Sequence, residues 1–123
     1  MEKISDDPER GDLMAAACPS RDVLRRLTGR WGMLVLRVLA DEPHRFSGLR
    51  KRIGGISERM LAQTLQGLES DGLLLRRDFQ TVPPHVEYEL TPMGHEAARR
   101  VDALLDWIEA ALPQIARGWA QAG

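Results

Sequence analysis

Between His44 and Met60 the chain carries Arg45, Arg50, Lys51, Arg52 and Arg59 against one acidic residue, Glu58. Cations this closely spaced form an electrostatic footprint for a polyanion, because each one that meets a phosphate releases a condensed counterion. Two neighbouring side chains also have the shape to read bases. The guanidinium fork of Arg59 matches the O6 and N7 edge of guanine, and the carboxamide of Gln63 matches the N6 and N7 edge of adenine. Ser57 and the free N–H groups of the helical turn that follows it suit a phosphate, which would fix register without reading sequence. Arg45, Ser47, Arg50, Lys51 and Arg52 lie just upstream, suited to backbone contact. Each cation taken singly also fits an ordinary solvated face, and Gln63 and Gln66 fit surface helix formers. The clustering is what favours nucleic acid. Glu58 is a poor phosphate contact, and its first-turn position already suits a helix dipole.

No other chemistry is comparably equipped. Cys18 with His44, His85 or His95 is the one nucleophile and base combination. Glycine-rich phosphate loops, metal-ligand clusters and usefully spaced paired carboxylates are absent from the sequence, so neither an enzyme nor a bound metal or cofactor is expected. A single cysteine leaves a thiol or an intermolecular bridge, consistent with a reducing compartment. The 123 residues suffice for one domain, and the net charge of −1 hides an uneven distribution. Residues 1–20 hold two basic and five acidic groups, residues 21–90 twelve and nine, and the remainder three and four. The middle is basic and the ends are acidic. No apolar run approaches the roughly 20 residues of a membrane span, and no secretory leader is evident. A cytoplasmic protein without membrane partners is expected.

The elements that must position the cluster follow from periodicity. Residues 1–17 read as a flexible acidic arm, and residues 18–123 as the folded domain. Ser20 is expected to cap a first helix with Val23, Leu24 and Leu27 on its apolar face, stopped by Gly29. Trp31, Leu34, Val35, Val38 and Leu39 define a core helix ending before Pro43. Phe46, Leu49 and Ile53 define a third helix, terminated by Gly54-Gly55. Ser57 caps a fourth through Ser70, with Leu61, Leu65 and Leu68 inward. Leu73, Leu75, Arg77 and Phe79 then read as a strand, Gln80 to His85 as a loop around Pro83-Pro84, and Val86, Tyr88 and Leu90 as the returning strand. A last helix opens at Thr91-Pro92, carries Ala97, Val101, Leu104, Leu105, Ile108 and Leu112 as one stripe, and should break or kink at Pro113. The order is that of a winged helix-turn-helix with an additional helix at each end, an α+β fold that is mainly α. In it the fourth helix enters the major groove, with Thr64 beside Gln63, and Gln80, Thr81 and His85 reach from the wing tip toward the minor groove.

Several motifs then point to a family. Cys18-Pro19, Gly29-Arg30-Trp31, Arg45-Phe46-Ser47, Gly55-Ile56-Ser57, Leu68-Glu69-Ser70-Asp71-Gly72-Leu73, Val82-Pro83-Pro84-His85-Val86-Glu87-Tyr88 and Leu90-Thr91-Pro92-Met93-Gly94 occur in one order. Over residues 18 to 107 the chain resembles the HxlR-type winged-helix regulators. The resemblance implies a homodimeric transcription factor on an inverted-repeat operator, with repression the expected sense. It departs at Gly29-Arg30, where the family carries a second glycine and a lysine, and at Gly67, which interrupts the recognition helix at a propensity cost of roughly 1 kcal/mol. Cys18 matches a cysteine that senses oxidants or electrophiles in some relatives. Arg21 and the helix start led by Ser20 would lower its pKa, while a merely structural cysteine is the alternative.

The last helix carries more apolar surface than the wing requires, and Leu104, Trp107, Ile108, Leu112 and Ile115 are the expected dimer contacts, forming a dimerisation helix from about residue 92. Rival functions are a winged helix that binds an acidic protein, and a regulator gated by a small-molecule effector.

Overall fold

The computed structural model describes residues 9–122. Among the described residues the elements run α1 (Ser20–Thr28), α2 (Gly32–Leu39), α3 (Phe46–Arg52), α4 (Glu58–Ser70), β1 (Leu74–Asp78), β2 (Val86–Leu90) and α5 (Pro92–Ala122). This is the mainly helical α+β winged helix-turn-helix that the periodicity predicts. Residues 1–8 of the expected flexible arm lie outside the described residues. From Asp12 the segment consists of turns tied to α1, with the Arg21 guanidinium donating to the carbonyls of Leu13 at 3.0 Å and Met14 at 3.3 Å.

α2 is the centre of the molecule. It touches α1, α3, α4, β2 and α5, and a helix packed on several sides is apolar beyond one stripe. It therefore buries Leu36 as well as Val35, Val38 and Leu39. Leu36 falls outside the predicted stripe, whereas Trp31 caps the helix and, like Leu34, is only half-buried. The remaining core comes from Leu49 of α3, Ile53 and Ile56 in the turn, Leu61, Leu65 and Leu68 of α4, Leu73, Leu74 and Leu90 of the wing, and Ala98 and Val101 of α5.

α1 departs from expectation at its start. Pro19 occupies the cap position with no side-chain hydrogen bond, and Ser20 sits inside the first turn with its hydroxyl turned to Cys18 Sγ, 3.0 Å away. None of its residues is buried. One strap fixes α1 on α4: Arg26 Nε and Nη2 donate to the two Asp71 carboxylate oxygens at 2.8 and 2.5 Å. The arginine chain crosses α4 at Gly67, where a Cβ would stand 3.0 Å from Arg26 Cδ. The glycine that interrupts the recognition helix thus lets the strap pass. Gly67→Val and Asp71→Ala are each expected to lower stability by roughly 1 kcal/mol. Combined, they should cost clearly less than the sum, because both remove one bridge. Additive losses in thermal denaturation would show that Gly67 serves something else.

α4 ends as its sequence predicts. Leu73 N–H bonds Leu68 C=O at 3.0 Å and Gly72 N–H bonds Glu69 C=O at 2.9 Å, with Gly72 at φ 78°, the glycine-dependent geometry that satisfies the last carbonyls. In the wing, Leu74 pairs with Leu90, Arg76 with Tyr88 and Asp78 with Val86. The strand begins one residue later than predicted, with Leu74 inward and Leu75 exposed. His44 adds a bridge to Tyr88, its N–H and C=O bonding Tyr88 at 3.0 and 2.8 Å, and so ties the approach to α3 to the wing.

α5 runs unbroken through Pro113, against the predicted break. Proline removes the hydrogen bond to the carbonyl four residues earlier. Here that residue is Glu109, exposed to solvent, so water can take the missing donor's place. After Val101 no α5 residue is buried, and Leu104, Trp107, Ile108 and Leu112 stand 43–60% exposed.

Candidate nucleic-acid interface

α3 and α4 meet through a turn in which Gly55 adopts φ 86°. Ser57 then starts α4 as predicted, its hydroxyl oxygen accepting Met60 N–H at 3.1 Å. That oxygen is committed to the cap, so a phosphate at this point would be held by the remaining first-turn N–H groups. Arg45, Ser47, Arg50, Lys51 and Arg52 are all exposed, and the last three form the final turn of α3, where cations favour the helix dipole.

Three features join α3, α4 and the wing into one face. Arg45 Nη2 donates to Pro84 C=O at 3.2 Å, across to the wing loop. Arg50 Nη1 reaches Glu58 Oε1 at 3.1 Å, across to the first turn of α4. Phe46 and Ser47 lie between them, lining one crevice with Pro84 and Val86 and another with Arg50, Lys51 and Glu58. Arg45, Arg50 and Lys51 are thereby brought together, but the expected cations are not equivalent. Arg50 is already paired with a carboxylate. Lys51, Arg52, Arg59 and Gln63 make no side-chain hydrogen bond or ion pair among the described residues, and all are exposed.

Other predicted contacts are weaker than their residue types suggest. Thr64 is half-buried, and its hydroxyl donates to Met60 C=O at 2.7 Å. It lines the groove toward α1 with Arg26, Met60, Gln63 and Gly67. In the wing, Thr81 donates to Pro83 C=O at 2.9 Å. His85 Nε2 lies 2.6 Å from Glu87 Oε2, with its ring 4.6 Å from Phe79. Of the predicted wing contacts, Gln80 keeps an uncommitted side chain, although its backbone N–H donates to the Asp78 carboxylate at 2.8 Å. On the wing, Arg76 of β1 is an exposed, unpaired cation that the residue pattern did not single out. Its neighbour Arg77 points to the other face and pairs with Glu89 at 2.5 Å. Strand alternation is the signal that separates the two.

Away from this face, Cys18 is half-buried and free. The Ser20 hydroxyl donates to its Sγ at 3.0 Å and the Asp12 N–H at 3.2 Å. Ser20 first, then the Asp12 amide, lower the thiol's pKa from its ordinary value, against partial desolvation and the Asp12 charge. Arg21, expected to assist, is turned instead to the Leu13 and Met14 carbonyls. Alkylation of Cys18 by iodoacetamide should accordingly reach half its plateau rate below the pH of an ordinary cysteine. Ser20→Ala should move that midpoint up; an unchanged midpoint would remove the assigned role of the hydroxyl. Among the described residues no cluster of His, Cys, Asp or Glu could hold a metal, and no helix is long and apolar enough to cross a membrane.

Comparison with known proteins agrees with the fold. The HxlR-like helix-turn-helix family profile matches residues 26–116. A protein of Escherichia coli strain K12 named as an HTH-type transcriptional regulator, YtfH, is 54% identical over 112 residues, 91% of this chain and 89% of its own. The solved structure of ytfH from Salmonella typhimurium superposes with a TM-score of 0.86 at 54% identity, over 90% of this chain and 99% of that one. The redox regulator HypR in its reduced form superposes with a TM-score of 0.73 at 30% identity, over 80% of this chain and 98% of that one.

Proposed function

The chain belongs to the HxlR-like helix-turn-helix family of transcriptional regulators, and from that premise we propose that it represses transcription in the cytoplasm as a homodimer on an inverted-repeat operator. The observation that carries the DNA-contact assignment is the face on which Lys51, Arg52, Arg59 and Gln63 stand exposed and unpaired. Lys51 and Arg52, with Arg45 and Ser47, contact phosphates. Arg59 and Gln63 read base edges from the N-terminal half of α4. Gln80 and Arg76 supply the wing's contribution, and the Asp78 carboxylate beside Gln80 keeps it small.

Dimerisation is supported by apolar surface that the monomer leaves uncovered: Leu104, Trp107, Ile108, Leu112 and Trp119 on α5, with Val23 and Leu24 on α1. Pairing such surface about a twofold axis removes it from water. Selection of duplexes from a random library, followed by footprinting, tests the reading. Two protected half-sites about one helical turn apart are expected, with the free protein sedimenting as a dimer. A stable monomer at micromolar concentration, or protection of one half-site only, would refute the paired-site model.

An oxidant or electrophile acting at Cys18 is a second reading, favoured by the two donors on its sulfur and by similarity to HypR, a redox regulator by name. Loss of DNA binding on mild oxidation, abolished in Cys18→Ser, is the expected result. An identical response in both proteins would exclude the thiol.

A further inference from the structure

The dimer face lies on a part of α5 that the core barely holds. The helix buries Gly94, Ala98 and Val101, and Leu105 is its last side chain packed against the core. The exposed Leu104, Trp107, Ile108 and Leu112 occupy that same region and the turn beyond it. On this stretch Asp102, Asp106 and Glu109, at successive spacings of four and three residues, converge on one side chain from α2. Arg37 donates from Nε to Asp102 Oδ1 at 2.6 Å, from Nη2 to Asp106 Oδ1 at 2.5 Å and from Nη1 to Glu109 Oε1 at 2.9 Å. Every nitrogen of the guanidinium is used.

The carboxylate side chains are 46%, 70% and 71% exposed. Singly, pairs this open to solvent contribute little to stability, but three carboxylates gathered on one planar guanidinium form a network that resists rotation of α5 against α2. We infer that Arg37 is a positioning residue: by holding α2 to two turns of α5 at three points, it sets the separation of the two recognition helices in the dimer. The inference rests on the dimer reading above.

The lever is long enough for this to count. From Val101 to Leu112 a helix advances roughly 16 Å. A swing of about 10° at Val101 would displace the end of the dimer face by about 3 Å, close to the roughly 3.4 Å of one base-pair step. A looser hinge would therefore blur half-site spacing while leaving the helix-turn-helix folded. Charge alone does not replace the arginine, because a lysine ammonium cannot address three carboxylates in one plane.

The test is a spin-label distance measurement on the full chain. A nitroxide on Glu69→Cys, an exposed position at the end of α4, in a Cys18→Ser background reports the separation of the recognition helices without DNA. The parent should give a narrow intersubunit distance distribution. Arg37→Gln should broaden it at unchanged dimer mass, and Arg37→Lys should restore it only in part. On a library-selected duplex, Arg37→Gln should bind roughly three- to thirtyfold more weakly. Its preference among duplexes with half-sites moved by one base pair should flatten, which simple destabilisation would not produce. Should Arg37→Gln not fold, the combined Asp102→Asn, Asp106→Asn and Glu109→Gln chain removes the same clamp from its other side. A variant distribution as narrow as the parent's overturns the inference and leaves the dimer intact as a reading. A parent with no intersubunit distance overturns the dimer reading and this inference with it.

Discussion

Replacing Lys51, Arg52 and Arg59 together with alanine lowers affinity for duplex DNA by roughly a hundredfold or more at about 0.1 M salt, and flattens its salt dependence. All three stand exposed and unpaired, Lys51 and Arg52 in the last turn of α3 and Arg59 in the first turn of α4. Each phosphate that is no longer neutralised reduces the slope of log K against log salt by about 0.9, so two such phosphates already account for the hundredfold. The triple change removes up to six cations from a dimer. Arg50→Ala should cost less than any of the three alone, because Glu58 already neutralises part of that charge in the free protein. Glu58→Gln should strengthen binding, since it frees Arg50 and takes a carboxylate away from the groove. Fluorescence anisotropy across a salt series reads all of these. If Arg50→Ala proves the most damaging single change, the division into paired and unpaired cations is wrong.

The largest stability effect is expected at Gly94. A Cβ there would lie 1.8 Å from the Leu73 carbonyl oxygen, 2.9 Å from its carbon and 3.3 Å from Leu90 Cβ. Backbone fills the space, so no rotamer relieves the clash. The first turn of α5 and the turn leaving α4 are also stitched together here: Thr91 N–H bonds Leu73 C=O at 3.1 Å, the Thr91 hydroxyl donates to Gly72 C=O at 2.6 Å, and Thr91 Oγ1 accepts Gly94 N–H at 3.0 Å. Gly94→Ala must part these elements, and overpacking together with broken hydrogen bonds predicts a cost of roughly 3 kcal/mol or more. A domain of this size has about 5–15 kcal/mol of stability in total, and its melting temperature should fall by on the order of 10 °C or more. Gly54→Ala is the internal control. No heavy atom lies within 4 Å of its Cβ position, and its stability should change by less than about 0.5 kcal/mol. Equal melting temperatures for the two variants would mean that α5 does not seat as described.

Much of this arrangement was legible because it is local. The spacing of Leu61, Leu65 and Leu68, the Ser57 cap, the end of α4 at Ser70 and the alternation of Val86, Tyr88 and Leu90 each depend on neighbours a few residues apart, where side-chain periodicity follows backbone geometry. What escaped was mostly pairing between distant segments. Arg26 meets Asp71 across 45 residues and Arg37 meets Asp102 across 65, and neither pairing leaves a trace in the pattern of either helix. The His44 bridge to Tyr88 is backbone to backbone and has no side-chain signature. Leu36 escaped because a stripe assigns one buried face, whereas α2 is packed on several. Among the site residues, type was legible and availability was not. Arg50, Thr64, Thr81 and His85 have the right groups for DNA, but their partners lie in the protein. Local rules also misled at Ser20, which faces a sulfur rather than capping α1, and at Pro113, which sits four residues after the solvent-exposed Glu109 and leaves α5 unbroken.

Titration of the purified protein against its own upstream DNA and a random duplex of equal length, at two salt concentrations, bears most directly on the central assignment. Binding of two chains per duplex is predicted, with the upstream DNA held at least roughly a thousandfold more tightly than the random one at the higher salt. Equal binding to both duplexes, erased together as salt rises, would contradict a sequence-reading dimer and leave a basic face made for some other polyanion.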